Sequence, residues 1–266
     1  MTATSEYQTR SEPVPQTRSA RLMGFRAFFR KEVAQWLGSG RGPIVFGATT
    51  VLASLIALAN GLEPASAAAG ANATMDATQS VLGVEWGVLL VIVGIIATVD
   101  LLASERERGT LAWSLSKPLS RNALLLAKWS AGTLMYATFG LVLPMVVSVG
   151  LAAVLHGAVP DLGVVATATA VWVTIPIFYV GLALALGTRL SSQAAIAGIA
   201  FGLSAIPLFA SSLVPEVGAV IPSAMGEWAA AFAIGADPSL LTPLGWLIFT
   251  ALVAVAAPLA LGRADL

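Results

Sequence analysis

Six stretches of this sequence, at about 43–62, 84–103, 130–155, 162–186, 194–214 and 243–261, are apolar throughout and hold no Lys or Arg in their interiors. At 1.5 Å of rise per residue, each is long enough to cross a hydrocarbon layer about 30 Å thick. A membrane barrel would instead show short segments of alternating polarity, so the stretches predict helices. The fold class expected is an all-α integral membrane protein with six transmembrane helices. Composition agrees, since 57% of the 266 residues are hydrophobic and 11% charged. A soluble domain carries about 25% charged residues, and a chain this poor in polar surface cannot cover a water-facing core.

The basic residues assign the two sides of the membrane. Residues 1–42 hold seven of the fourteen, the connection between spans 2 and 3 holds Arg106, Arg108, Lys117, Arg121 and Lys128, and Arg189 and Arg263 follow spans 4 and 6. The intervening connections at about 63–83, 156–161 and 215–242 contain none. This alternation predicts both termini in the cytoplasm. Residues 1–20 are polar and read as a disordered cytoplasmic tail, leaving 21–266 as one six-span domain. Fourteen acidic residues balance the basic ones, so no nucleic-acid partner is expected. With no Cys and the single His156, no metal, cofactor or catalytic constellation is expected on this chain. Ionisable residues inside the spans are nearly absent. Asp100 lies one turn from the end of span 2, near Arg106 and Arg108, and Glu85 lies at its opposite mouth. An ion-coupled carrier usually keeps carboxylates near the midplane, so that class loses ground. Pro144 and Pro176 are candidate kinks in spans 3 and 4.

Residues 21–37 predict an amphipathic helix at the membrane interface. At 100° per residue, Leu22, Phe25, Phe29, Val33, Trp36 and Leu37 share one face, with Arg26 inside the stripe and able to snorkel to the headgroups. After span 2 comes Glu105-Arg106-Glu107-Arg108-Gly109-Thr110-Leu111, then Trp113, Leu115, Ser116, Pro118, Ser120 and Arg121. Gly109 permits a break, Thr110 can cap a short helix carrying Leu111, Trp113 and Leu115, and Pro118 closes it. Ser120 can cap the helix that becomes span 3. A short apolar helix rimmed by charge suits a docking partner, although a plain basic anchor between two spans has the same charges.

That run, Glu-x-Glu-x-Gly-Thr-Leu followed by Leu-Ser-x-Pro-x-Ser-Arg, resembles the loop between spans 2 and 3 of permeases of the type-2 ATP-binding-cassette transporters. The order of parts agrees over about 21–262, with the motif itself confined to 104–128. The resemblance implies a permease subunit, expected to be an exporter, that pairs with a second permease copy or homologue and with a cytoplasmic ATPase. It further implies that residues 105–121 seat on that ATPase, which would bind the ATP and Mg. Independently, the sequence holds no phosphate-cradling Gly-x-x-x-x-Gly-Lys-Ser/Thr loop of its own. The competing classes are a non-transport membrane anchor or assembly factor and an ion-coupled carrier. The preference for Arg over Lys and the abundance of Ala point to the plasma membrane of a GC-rich prokaryote. In span 5, Gly198 and Gly202 form a small-residue surface, open to use either within the subunit or as a dimer face. Residues 224–234 predict an amphipathic helix on the outer side, either re-entrant or lying at the interface around Trp228.

Overall fold

The computed structural model of the chain describes residues 24–61, 73–84, 86–109, 120–213, 220 and 224–262, and every regular element among them is helical. In chain order these are α1 (Phe25–Gly38), α2 (Arg41–Gly61), α3 (Ala73–Leu82), α4 (Trp86–Thr98), α5 (Asp100–Glu107) and α6 (Arg121–Tyr136). A π-helical turn at Ala137–Val142 leads into α7 (Leu143–His156), followed by α8 (Leu162–Trp172), α9 (Thr174–Gly187), α10 (Gln193–Leu213), α11 (Met225–Ala233) and α12 (Leu241–Gly262). Five runs among the described residues are long and apolar enough to cross a membrane: Arg41–Ala59, Ala73–Glu107, Arg121–His156, Leu162–Gly187 and Leu241–Ala260. The stretch expected as span 5 falls on α10, a helix of 21 residues whose side chains are described over Gln193–Ala205.

The long runs are not straight rods, and their interruptions follow from the residues. A proline ring displaces the carbonyl four residues before it. For Pro176 that residue is Trp172, where α8 ends and α9 begins at Thr174. For Pro144 it is Gly140, inside the π-helical turn. Both expected kinks are therefore in place. The second run extends further outward than expected. The outer connection assigned to 63–83 contains α3, whose Ala77, Thr78, Ser80 and Val81 are buried. Its polar sequence hid it, because Thr78 and Asp76 break an apolar window. Thr78 finds its partners locally, donating to Thr74 O at 2.6 Å and accepting from Asp161 N at 2.7 Å.

Two runs form the centre of the bundle. In the second, 67% of the apolar window is buried, and in the fourth 61%, against 17% for the last. Helix α9 buries Ile175, Phe178, Tyr179, Val180, Leu182 and Leu184 against α4, α6 and α12. The peripheral helices leave large apolar side chains uncovered, such as Val154 at 81% and Leu252 at 60% exposure. Such a surface is untenable in water and costs nothing in hydrocarbon, which fits the membrane reading. At the outer end, α11 occupies the predicted 224–234 segment and packs on α8 through Met225, Gly226 and Ala229. The Trp172 indole donates to Gly226 O at 2.9 Å, and the Trp228 indole to Ser239 O at 2.9 Å.

The π-helical turn opens a slot for Tyr136. Its hydroxyl donates to the Leu90 carbonyl. Its ring lies between two glycines, such that a Cβ at Gly94 would stand 2.9 Å from Cε1 and one at Gly140 would overlap Cε2. Gly140→Ala is therefore expected to destabilise the protein. The gain in helix propensity is about 1 kcal/mol, whereas overpacking costs about 1–3 kcal/mol, and here it also displaces a hydrogen-bonded ring. Gly150→Ala, where nothing lies within 4 Å of the added Cβ, serves as the control and should be neutral or stabilising. Thermal unfolding in detergent measures both.

Candidate coupling site where α1, α5 and α6 meet

Charge within the described residues converges where α1, α5 and α6 meet. Lys128, at the start of the third turn of α6, is buried with its side chain 2% exposed. Its Nζ donates to Glu32 Oε1 on α1 at 3.1 Å and to Glu105 Oε1 on α5 at 3.1 Å. Lys31 stands 3.7 Å from both carboxylate oxygens, with half of its side chain in solvent. The two lysines and two glutamates sum to zero charge. Isolated, a buried ammonium or carboxylate is costly, but here each has an opposite charge within hydrogen-bond or ion-pair distance. The Phe28 ring adds a π-face, 4.5 Å from Lys31 Nζ and 5.7 Å from Lys128 Nζ.

Two further contacts tie neighbouring elements to α5. Arg41, at the start of α2, pairs with Asp100 and lies 5.3 Å over the Trp36 ring. Arg106 Nη1 donates to the carbonyl of Thr188, the C-cap of α9, at 2.6 Å. Helix α5 is thus connected through charged side chains to α1, α2, α6 and α9. It leads directly into the connection to α6. That connection departs at Gly109, whose φ of +66° is the left-handed turn expected there. It returns at Ser120, whose Oγ accepts from Ala123 N at 3.1 Å as the expected N-cap.

The amphipathic helix is present over Phe25–Gly38, but its packed face differs from the expected stripe. Phe25, Phe29 and Val33 are partly buried and Trp36 is buried, whereas Leu37 is 55% exposed. Glu32 and Phe28 take the place of Leu37, so the packed face is rotated toward the acidic side. The cause is Lys128 on α6, which lies against that side and supplies a charge for Glu32. Arg26 is exposed, and Leu22 lies outside the described residues.

Of the expected loop residues, Glu105 and Arg106 turn inward as above, and Glu107, Arg108 and Arg121 are exposed. Thr110, Leu111, Trp113, Leu115, Ser116 and Pro118 lie outside the described residues. Asp100, placed in sequence near Arg106 and Arg108, pairs instead with Arg41, 59 residues away. Sequence reasoning missed Lys128 and Glu32. The available signal was a lysine set a turn inside an apolar run, Ala123–Leu126 before it and Trp129 after, which demands a carboxylate from another element. In α10, a Cβ added at Gly198 or Gly202 meets nothing within 4 Å among the described residues. Among the described residues the helix packs inward through Ile196, Ala200 and Ser204.

Fold and site together define a multi-pass helical membrane protein with a cluster of paired charges where α1, α5 and α6 meet. A family model described as ABC-2 family transporter protein matches residues 29–227, and the chain belongs to that family. It is a transmembrane permease of the ABC transporter class. No curated protein matches the chain significantly.

The ion cluster has a testable energetic signature. Lys128→Met leaves two buried carboxylates without their shared cation and should cost about 3–5 kcal/mol of stability. Adding Glu32→Met and Glu105→Met to the same chain should recover most of that loss, because no buried charge is then unpaired. Thermal unfolding of the purified single and triple variants measures the difference.

Proposed function

We propose that this permease is the membrane subunit of an ATP-driven exporter in a prokaryotic plasma membrane, with both termini in the cytoplasm. A separate cytoplasmic ATPase, which binds the ATP and Mg, docks on the connection between α5 and α6. The observation that carries this reading is the bracing of that connection. Its first end, α5, is held to α1, α2, α6 and α9 through Glu105, Asp100 and Arg106, and its second end is the capped start of α6. A push delivered to α5 therefore reaches four other helices through paired side chains. In this reading Leu111, Trp113 and Leu115 are the apolar anchors of the docking helix. Glu107, Arg108 and Arg121, exposed at its two ends, orient the contact from the rim. Trp113→Ala should weaken ATPase co-purification by about thirtyfold, about 2 kcal/mol for one buried aromatic anchor, and abolish stimulation of ATP hydrolysis. Membrane insertion should be unchanged. Unchanged co-purification with unchanged stimulation would reduce the loop to a basic anchor.

The second permease of the assembly packs on α10 in this reading. Ala194, Ala195, Gly198, Phe201 and Gly202 fall within an arc of about 120° at 100° per residue, and all five are exposed. Small residues on an uncovered face let a second helix approach closely. Gly198→Leu together with Gly202→Leu should shift the detergent-solubilised protein from dimer toward monomer without lowering the monomer's thermal stability. Light scattering coupled to gel filtration reads the first effect and an unfolding scan the second.

A further inference from the structure

We infer that the cytoplasmic ends of α9 and α12 hold an anionic phospholipid of the inner leaflet, with an acyl chain in the groove between the helices and the phosphate on Arg189. The two helices touch at Gly181, where a Cβ would stand 3.1 Å from Val253 Cγ1. Beyond that contact they part, and a groove of about 420 Å³ follows. Small-molecule sites occupy about 300–1,000 Å³. Leu182, Leu186 and Arg189 line one wall, and Leu252, Ala256 and Leu259 the other. Each set is spaced i, i+4, i+7, so each wall is a single helical face running about 10 Å toward the same end. The lining is apolar until that end, where Arg189 is exposed and has no carboxylate partner among the described residues. The basic-residue distribution puts Arg189 at cytoplasmic headgroup depth.

The chemistry selects the ligand. Leu252 and Leu259 are more than half exposed, and an alkyl chain covers them without the loss of any hydrogen bond. A guanidinium at the mouth of an apolar groove suits an anionic headgroup attached to that chain. Basic positions between helices on the cytoplasmic side recognise acidic lipids in this way, and Arg presents paired donors to phosphate oxygens. The two parts of the site match the two parts of one amphiphile. A soluble anion would leave the groove empty, and a neutral lipid would leave Arg189 without an anion.

The test is native mass spectrometry of the full chain in neutral detergent, titrated with phosphatidylglycerol or with phosphatidylcholine of the same acyl chains. One phosphatidylglycerol per chain should be retained about fivefold better than phosphatidylcholine, the contribution of one cation at a headgroup. Arg189→Lys should keep the preference and Arg189→Gln should erase it, while Ala256→Phe, which fills the groove, should cut retention of both lipids. Unfolding scans confirm that each variant is folded. A preference that survives Arg189→Gln, or retention that survives Ala256→Phe, would overturn the site. So would an oligomer that falls to monomer mass in Ala256→Phe with lipid retention unchanged, since a second copy would then be what covers the groove. No ATPase is present in this measurement, so its result stands apart from the docking of Trp113.

Discussion

The Lys128 ammonium sits within the stretch Ala123–Trp129 of α6, where every other residue is apolar, and is 2% exposed. It therefore requires carboxylates from outside its own helix, and they come from positions 96 and 23 residues away in sequence. Satisfying it fixes three elements at once. Helix α1 must turn its Glu32 face to α6, α5 must present Glu105 to the same point, and Lys31 must stand behind both. No other group available in this region could replace these contacts, because water is excluded from the lysine and a lone buried charge costs several kcal/mol. Arg41 and Asp100 repeat the logic one layer further along, joining α2 to α5.

Above that layer, cohesion has a different origin. Lipid tails are as apolar as Leu, so burying Leu against Leu contributes little within the membrane, and close contact must come from small residues and matched shapes. The structure shows this at Gly132 beside Val180, Gly181 beside Trp129 and Gly187 beside Leu102, each too tight for a Cβ without movement of the neighbour. Three polar side chains in the bundle find their partners within it. Trp129 donates to Ile177 O at 2.8 Å, Trp246 to Thr174 O at 3.1 Å, and Ser204 to Tyr179 Oη at 2.9 Å. The first two donate to carbonyls in the first turn of α9, next to the Pro176 break.

How much of this was legible in the sequence depends on whether the signal was local. Gly109, Ser120, Pro144 and Pro176 act within one turn of themselves, and each does what its residue type dictates. The family was readable from a contiguous run, Glu105–Leu111 with Leu115–Arg121. The stripe on α1 was readable as a stripe but was rotated from its true packing face, because hydropathy ranks Leu37 above Glu32 and knows nothing of Lys128. The partner of Asp100 was not legible for the same reason. Two arginines lay close in sequence, whereas the one that reaches it, Arg41, is brought there by the packing of α2 on α4. Helix α3 escaped because its Thr78 hydroxyl bonds within the fold, a property that no hydropathy window registers.

Bracing and the proposed docking make opposite demands on one stretch of chain, and the arrangement of Glu105, Arg106, Glu107 and Arg108 is compatible with both. Over the last turns of α5, Glu105 and Arg106 face the protein, each meeting a specific partner, while Glu107 and Arg108 are exposed. In a helix, successive residues are 100° apart, so two inward and two outward charges can alternate in pairs without a break. The inward pair removes the freedom of α5 to swivel independently of α1, α6 and α9. The outward pair stays solvated and available to orient a partner, where rim charges act on encounter and register more than on affinity. If all four faced outward, a force applied to the loop would bend α5 before it moved the bundle. If all four faced inward, the loop would present only its apolar side chains, and nothing would set the direction of docking.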